Sequence, residues 1–180
     1  LGHPRLLGVK DINRAKGMSS LRNALRNWFL NSGLDVDYVI VADLDLKGGW
    51  SLDGILNSFG WNNWDMISSN GVIYDEIDGK KRRLFYDTWA LRFPCDAAQR
   101  PSSQLNLIKF HRGEPLIKVW SNFSGLAIYT KDSYACKSVE YGFLSERRQV
   151  DCDHVTFNTC LRKNGFDKLY INPSMFCLYS

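Results

Sequence analysis

The 180-residue chain has no apolar stretch long enough to cross a bilayer. Its apolar runs, such as Val39-Ile40-Val41-Ala42, span only a few residues, where a membrane helix needs about 20. It has no Cys-x-x-Cys pair, which excludes a zinc ribbon or a thioredoxin-like redox motif. The five cysteines, at 95, 136, 152, 160 and 177, are odd in number and irregularly spaced. They read as reduced, buried thiols rather than a disulfide framework. Neither sign of charge dominates: 23 Lys and Arg face 19 Asp and Glu, for a net charge of +4. That is far from the dense basic stripe that neutralises many phosphates, so nucleic acid is not expected as a partner. Repeats, low-complexity tracts and linkers are also missing, which leaves one domain on length. The chain opens at Leu1 with neither an initiator Met nor a signal-peptide pattern, as expected of a fragment. What it does have is 44% hydrophobic and 13% aromatic residues, enough for a core that excludes disorder as the main state.

Helical and extended patterns alternate. Leu21, Leu25, Trp28 and Phe29 follow i, i+4, i+7, i+8 spacing, which predicts an amphipathic helix over residues 19–30, capped by Ser19 or Ser20 and stopped by Gly33. Residues 38–42 form a β-branched run of the kind required by a strand buried on both faces. After a Gly-containing loop at 43–49, Ser51 caps a second helix with apolar positions Leu52, Ile55, Leu56 and Phe59. Strands follow at 65–69 and 71–74. Asp78-Gly79 predicts a hairpin that returns through Leu84-Phe85-Tyr86. A loop at 92–101, an ambiguous helix at 102–111 and strands at 116–120 and 126–129 come next. A helix over 155–163 ends at Asn164-Gly165, and two terminal strands flank Pro173. The alternation points to one α/β domain, Rossmann-like, with a mixed, mostly parallel sheet flanked by helices.

Asp-x-Asp occurs at 35/37, 43/45 and 151/153, and the bare motif is weak. Only Asp43-Leu44-Asp45 directly follows a buried-type strand, at the carboxyl end where open α/β sheets bind ligands. If the strand persists through Asp45, period 2 places both carboxylates on one face. Two carboxylates with room for water and phosphate oxygens suit Mg²⁺ or Mn²⁺, and such an ion makes a diphosphate a better leaving group. A solvated acidic loop after a strand is the plainer alternative.

The block 39–45, followed by Gly48-Gly49-Trp50, resembles the Asp-x-Asp region of glycosyltransferases with the A-type, nucleotide-sugar-binding fold. Residues 64–71 and 86–92 resemble fungal capsule-associated mannosyltransferases and related enzymes of large DNA viruses. Residues 123–129 resemble the Gly-containing strand beside the acceptor pocket. Cys152-Asp153-His154-Val155 and Tyr170-Ile171-Asn172-Pro173 resemble the closing segment of those proteins. The resemblance spans residues 14–176 and implies a metal-dependent transfer of a sugar from a nucleotide-diphosphate sugar to a hydroxyl of a glycan or protein acceptor. In the A-type fold a strand and a strand–helix unit precede the first helix. Here only residues 6–9 stand upstream, so part of the N-terminal nucleotide-binding unit is expected to be lacking. The thiols suit a cytoplasmic or viral-factory enzyme, and an upstream anchor would suit the Golgi lumen.

The resemblance also selects individual residues. Arg22-Asn23 matches a position near the nucleotide sugar. With Arg14 and Lys16 these residues line a helix whose guanidinium groups suit a diphosphate, or they form a solvated basic face. Asp87 and Arg92, around Trp89, are candidates for donor or acceptor contact, against a buried Trp with an Asp-capped turn. Asp153 is a candidate general base, and N-capping explains Asp151 and Asp153 equally. His154 is a candidate third metal ligand beside Asp43 and Asp45, or a helix-start histidine bonded to backbone; His3 and His111 have no such context. Two other classes remain open. Haloacid-dehalogenase-like phosphatases also place Asp-x-Asp after a strand, but Leu46-Lys47 follows here in place of their Gly-Thr or Val-Thr. A degenerate transferase fold would serve as a non-catalytic carbohydrate- or partner-binding module.

Overall fold

The computed structural model describes residues 12–94, 99–146 and 148–179; the expectations placed on His3, residues 6–9 and Cys95 lie outside them. In chain order the elements are α1 (Ile12–Asn31), β1 (Tyr38–Ala42), β2 (Gly49–Trp50), α2 (Leu52–Ser58), β3 (Met66–Ile77) and β4 (Lys80–Tyr86). They continue as α3 (Ser102–Leu105), β5 (Ile117–Lys118), β6 (Leu126–Thr130), α4 (Lys131–Ala135), α5 (Asp153–Lys163) and β7 (Leu169–Leu178). The strands form one seven-stranded mixed sheet in the order β1-β6-β3-β7-β2, with β4 added to β3 and β5 to β7. Among the described strands only β3 and β7 pair in parallel; every other pair is antiparallel. The expectation of a mostly parallel sheet is therefore corrected. Parallel neighbours need long crossovers, whereas β4 returns through the two-residue turn at Asp78 and Gly79, whose φ values of 54° and 70° match the twist of a hairpin.

Burial on both faces belongs to β3 and β6 rather than β1. Along β6, Ala127 and Tyr129 enter one apolar cluster while Leu126 and Ile128 enter the other, as period 2 requires. The larger cluster takes in Val155, Phe157 and Leu161 of α5, with Phe29 of α1 packed against it. The smaller one is covered by Ile55 of α2. β1 lies at the end of the strand order, with Tyr38 and Ile40 exposed.

In both predicted helices most of the expected apolar stripe faces outward, with Phe29 and Ile55 the members that pack against the core. α1 starts at Ile12, so neither Ser19 nor Ser20 caps it, and it buries Ala15, Ser19, Arg22 and Arg26. The expected core residues Leu21, Leu25 and Trp28 are 56%, 59% and 66% exposed. Arg26 is satisfied by backbone, its Nε donating to the Tyr134 carbonyl at 2.9 Å and Nη2 to that of Cys136 at 2.5 Å. In α2 the small Gly54 and Ser58 are buried while Leu52 and Leu56 are exposed. A Cβ on Gly54 would collide with the Ser174 carbonyl of β7. Ser51 makes no side-chain cap bond; its hydroxyl accepts the Phe176 N–H at 2.8 Å instead. The two expected terminal strands are one strand, β7, whose register against β3 shifts between Ser69 and Asn70 where Pro173 lies opposite. Pro has no N–H for the ladder.

Candidate active site

Asp43 follows the last residue of β1 and is held there by its N–H, which donates to the Gly125 carbonyl at 2.9 Å. Across from it, α1 presents Arg22, 8% exposed. The Arg22 guanidinium bridges two carboxylates: Nη2 donates to Asp43 Oδ1 at 2.8 Å and Nε to Asp153 Oδ2 at 2.6 Å. It also lies 4.9 Å from the Phe123 ring centre. Burial by itself lowers the Arg22 pKa, but the Asp153 and Asp43 carboxylates outweigh it and raise the value. At Asp153, the first residue of α5, burial raises the pKa while Arg22 opposes the shift. The other Asp43 oxygen, Oδ2, accepts from the Tyr179 hydroxyl at 3.2 Å.

Asp87 enters from the end of β4 after a cis Tyr86–Asp87 peptide. Its N–H donates to Ser124 Oγ at 3.0 Å, and its Oδ1 accepts the Trp89 N–H at 2.8 Å. Burial is the main force that pushes the Asp87 carboxyl up to about 6; the Asp153 and Asp43 charges add to it and the Trp89 N–H opposes it. This approach of β4 depends on Gly71 of β3, because a Cβ there would collide with the Tyr86 carbonyl. Only a residue without a side chain lets the two backbones meet.

Arg14, Arg22, Asp43, Asp87, Asp153 and His154 line one cavity of about 70 Å³. It lies at the carboxyl end of β1. His154 is 2% exposed and stacks on Phe123 with ring centres 3.5 Å apart. Both its ring nitrogens are buried without a hydrogen-bond partner, and burial together with Arg22 keeps the imidazole neutral by pulling its pKa well down. Among the described residues, no group of three His, Cys, Asp or Glu side chains is arranged to hold a metal ion. The structure thus does not gather His154 with Asp43 and Asp45 into a three-ligand site. β1 stops at Ala42, so Asp45 does not share a strand face with Asp43; it is exposed and outside the cavity. Burial is the largest cause that pushes the Tyr179 phenol pKa up, and Tyr86, Asp43 and Asp45 add to it. The Asp43 and Asp45 carboxylates are hard oxygen donors of the kind a Mg²⁺-type ion takes, with water and phosphate completing its shell, and the buried imidazole is not part of that donor set.

Two other predicted residues support the scaffold. Asn23 clamps the Tyr141 backbone, donating to its carbonyl and accepting its N–H, both at 2.8 Å. Arg92 is 2% exposed and donates to the Trp89 and Leu91 carbonyls and, at 2.7 Å, to Asp151 Oδ1. Sequence reasoning missed Tyr86 and Tyr179, whose rings meet at 3.7 Å beside Asp43. Tyr86 lies within a block that the resemblance had marked; Tyr179 carried no signal beyond ending the last predicted strand. Compared with known proteins, the chain matches no protein-family model, and no curated protein matches it significantly.

Proposed function

We propose that the chain is a glycosyltransferase that moves a sugar from a nucleotide-diphosphate sugar to a hydroxyl of a glycan or protein acceptor. One observation carries this reading: two arginines and three aspartates converge on one cavity at the carboxyl end of β1. Arg14 and Arg22 supply guanidinium donors for a diphosphate, and Asp43 and Asp45 supply the donors for Mn²⁺ or Mg²⁺. Such an ion, when bound, neutralises charge on the departing diphosphate. In the transfer, the acceptor oxygen forms a bond to the anomeric carbon while the bond from that carbon to the diphosphate oxygen breaks. The hydroxyl proton passes to a carboxylate. Asp87, with a pKa of about 6, is closer to neutrality than an ordinary carboxylate and so is the better-matched base. Asp153 is already engaged by Arg22 and holds that guanidinium in place.

The test is calorimetry of UDP- and GDP-sugars with and without Mn²⁺, repeated on Asp45→Asn, followed by assay of nucleoside diphosphate release. Metal-dependent binding abolished by the substitution is the expected result; an Asp45→Asn chain with full metal-dependent turnover overturns the assignment. A second reading, a carbohydrate- or partner-binding module without turnover, is favoured by the small cavity, about 70 Å³, against the roughly 300–1,000 Å³ of most ligand pockets. Sugar binding indifferent to both metal and nucleotide would establish it.

A further inference from the structure

The charge on Asp43 is already compensated from inside the protein. Its Oδ1 accepts from Arg22 Nη2 at 2.8 Å and its Oδ2 from the Tyr179 hydroxyl at 3.2 Å. Of the two carboxylates on Arg22, Asp43 is the more open to solvent, its side chain being 23% exposed against 9% for Asp153. A cation arriving from water therefore meets a carboxylate that already holds a positive charge at hydrogen-bond distance.

That positive charge is permanent and fixed. A guanidinium keeps its proton at every ordinary pH. Arg22 is buried, and its Nε is tied to Asp153 Oδ2 at 2.6 Å. Its guanidinium carbon lies 4.9 Å from the Phe123 ring centre and 6.0 Å from that of Tyr141. In such a position solvent screens the charge weakly, so a divalent ion beside Asp43 is strongly opposed. A diphosphate reverses this. Arg22 Nη2 then has a phosphate oxygen to take in place of Asp43 Oδ1, while Nε keeps its bond to Asp153 and the guanidinium stays compensated. Asp43 is released for a cation by the anion that the cation accompanies. Each ligand removes the obstacle to the other, which is a positive coupling between two binding events.

We propose, on the transferase reading of this cavity, that the Arg22–Asp43 ion pair is an autoinhibitory contact: it closes Asp43 to a free divalent cation and yields to a cation that arrives with a diphosphate. The test is calorimetry of Mn²⁺ alone, and then of UDP and GDP at saturating Mn²⁺, on the full chain, Arg22→Gln and Arg22→Lys. Gln removes the charge beside Asp43, so Mn²⁺ alone should bind Arg22→Gln about tenfold more tightly than the unaltered chain, a typical coupling. Lys keeps a positive charge there, so Arg22→Lys should bind Mn²⁺ alone much as the unaltered chain does. The nucleoside diphosphate should show the opposite order and bind Arg22→Gln most weakly. A residue that only shapes the site would, when replaced, weaken both ligands together.

Should Arg22→Gln fail to fold, the unaltered isotope-labelled chain decides, through its arginine side-chain N–H resonances. Mg²⁺ alone should leave them in place, and Mg²⁺ with UDP or GDP should move them. Mg²⁺ alone moving them as far as the pair does overturns the inference. So does Mn²⁺ affinity that is unchanged or weaker in folded Arg22→Gln, or that rises equally in Arg22→Lys. If Mn²⁺ with diphosphate still binds the unaltered chain in those cases, the transferase reading stands and only this inference falls. No binding of Mn²⁺, UDP or GDP by any of the three chains overturns both.

Discussion

Replacing Asp87 by Asn should make the protein more stable at neutral pH and less active. The Asp87 carboxyl sits at about 6 in the folded chain, against an ordinary value of 3.8, chiefly because burial disfavours its charge. It binds its proton more tightly folded than unfolded, so its stabilising contribution is full below about pH 4 and is lost as pH rises through about 6. Each tenfold change in proton affinity is worth about 1.4 kcal/mol, which gives about 3 kcal/mol, or about 2–3 once partial exposure is discounted. Asn retains a carbonyl oxygen for the Trp89 N–H that Asp87 Oδ1 accepts at 2.8 Å, but it carries no charge to desolvate. Urea denaturation of both chains across pH 4–8 should therefore give curves that lie close together at the acid end. They should diverge by about 2–3 kcal/mol at pH 7, in favour of Asn. For a chain of this length that is roughly 4–12 °C in melting temperature. On the transferase reading, nucleotide-sugar turnover should fall in the same variant, the trade-off expected where a destabilising buried group serves function. Parallel stability curves would refute the argument, because the carboxyl would then have the same proton affinity in the folded and unfolded chains.

Arg22→Met should cost about 3–5 kcal/mol in denaturation, because it strands two carboxylates around a buried position. Adding Asp153→Asn should restore part of that loss, and equal stability of the single and double variants would dismiss the ion-pair account. Gly71→Ala should destabilise by about 1–3 kcal/mol, since its Cβ meets the Tyr86 carbonyl, and should lower turnover by displacing Asp87. An unchanged melting curve would contradict the close packing of β3 on β4.

The periodicity of α1 and α2 located both helices and included Phe29 and Ile55, which pack against the core, but the rest of each expected stripe faces outward. Leu21, Leu25 and Trp28 share a face at helical spacing, and so do Ala15, Ser19, Arg22 and Arg26. Nothing local says which stripe the sheet will take. The choice was made by distant partners: the carbonyls of Tyr134 and Cys136 for Arg26, and the carboxylates of Asp43 and Asp153 for Arg22. The hairpin at Asp78-Gly79 was legible because its signal lies in the two residues that form it. The direction of strand pairing was not, since a run such as 38–42 reads alike in parallel and antiparallel company.

The candidate site divides on the same line. Asp43 was legible because a β-branched run ending in a carboxylate is a local pattern, and its N–H does continue the ladder to Gly125. Tyr179 reaches the same carboxylate across 136 positions of chain, and its residue type at a strand end predicts nothing. Arg92 and Asn23 have the chemistry of ligand-binding residues, yet their donors are used by the Leu91 and Tyr141 carbonyls. Arg22 is different: its Nε and Nη2 are engaged by carboxylates rather than by backbone carbonyls. If a diphosphate binds at Arg22, its ion pair with Asp43 is the contact to be rearranged, while Asp153 keeps the guanidinium in place. On the transferase reading, Arg22 exchanges a carboxylate for a phosphate oxygen of the same charge, which preserves its compensation throughout. A neutral replacement such as Met offers no such exchange, so Arg22→Met/Asp153→Asn should regain stability without regaining donor binding.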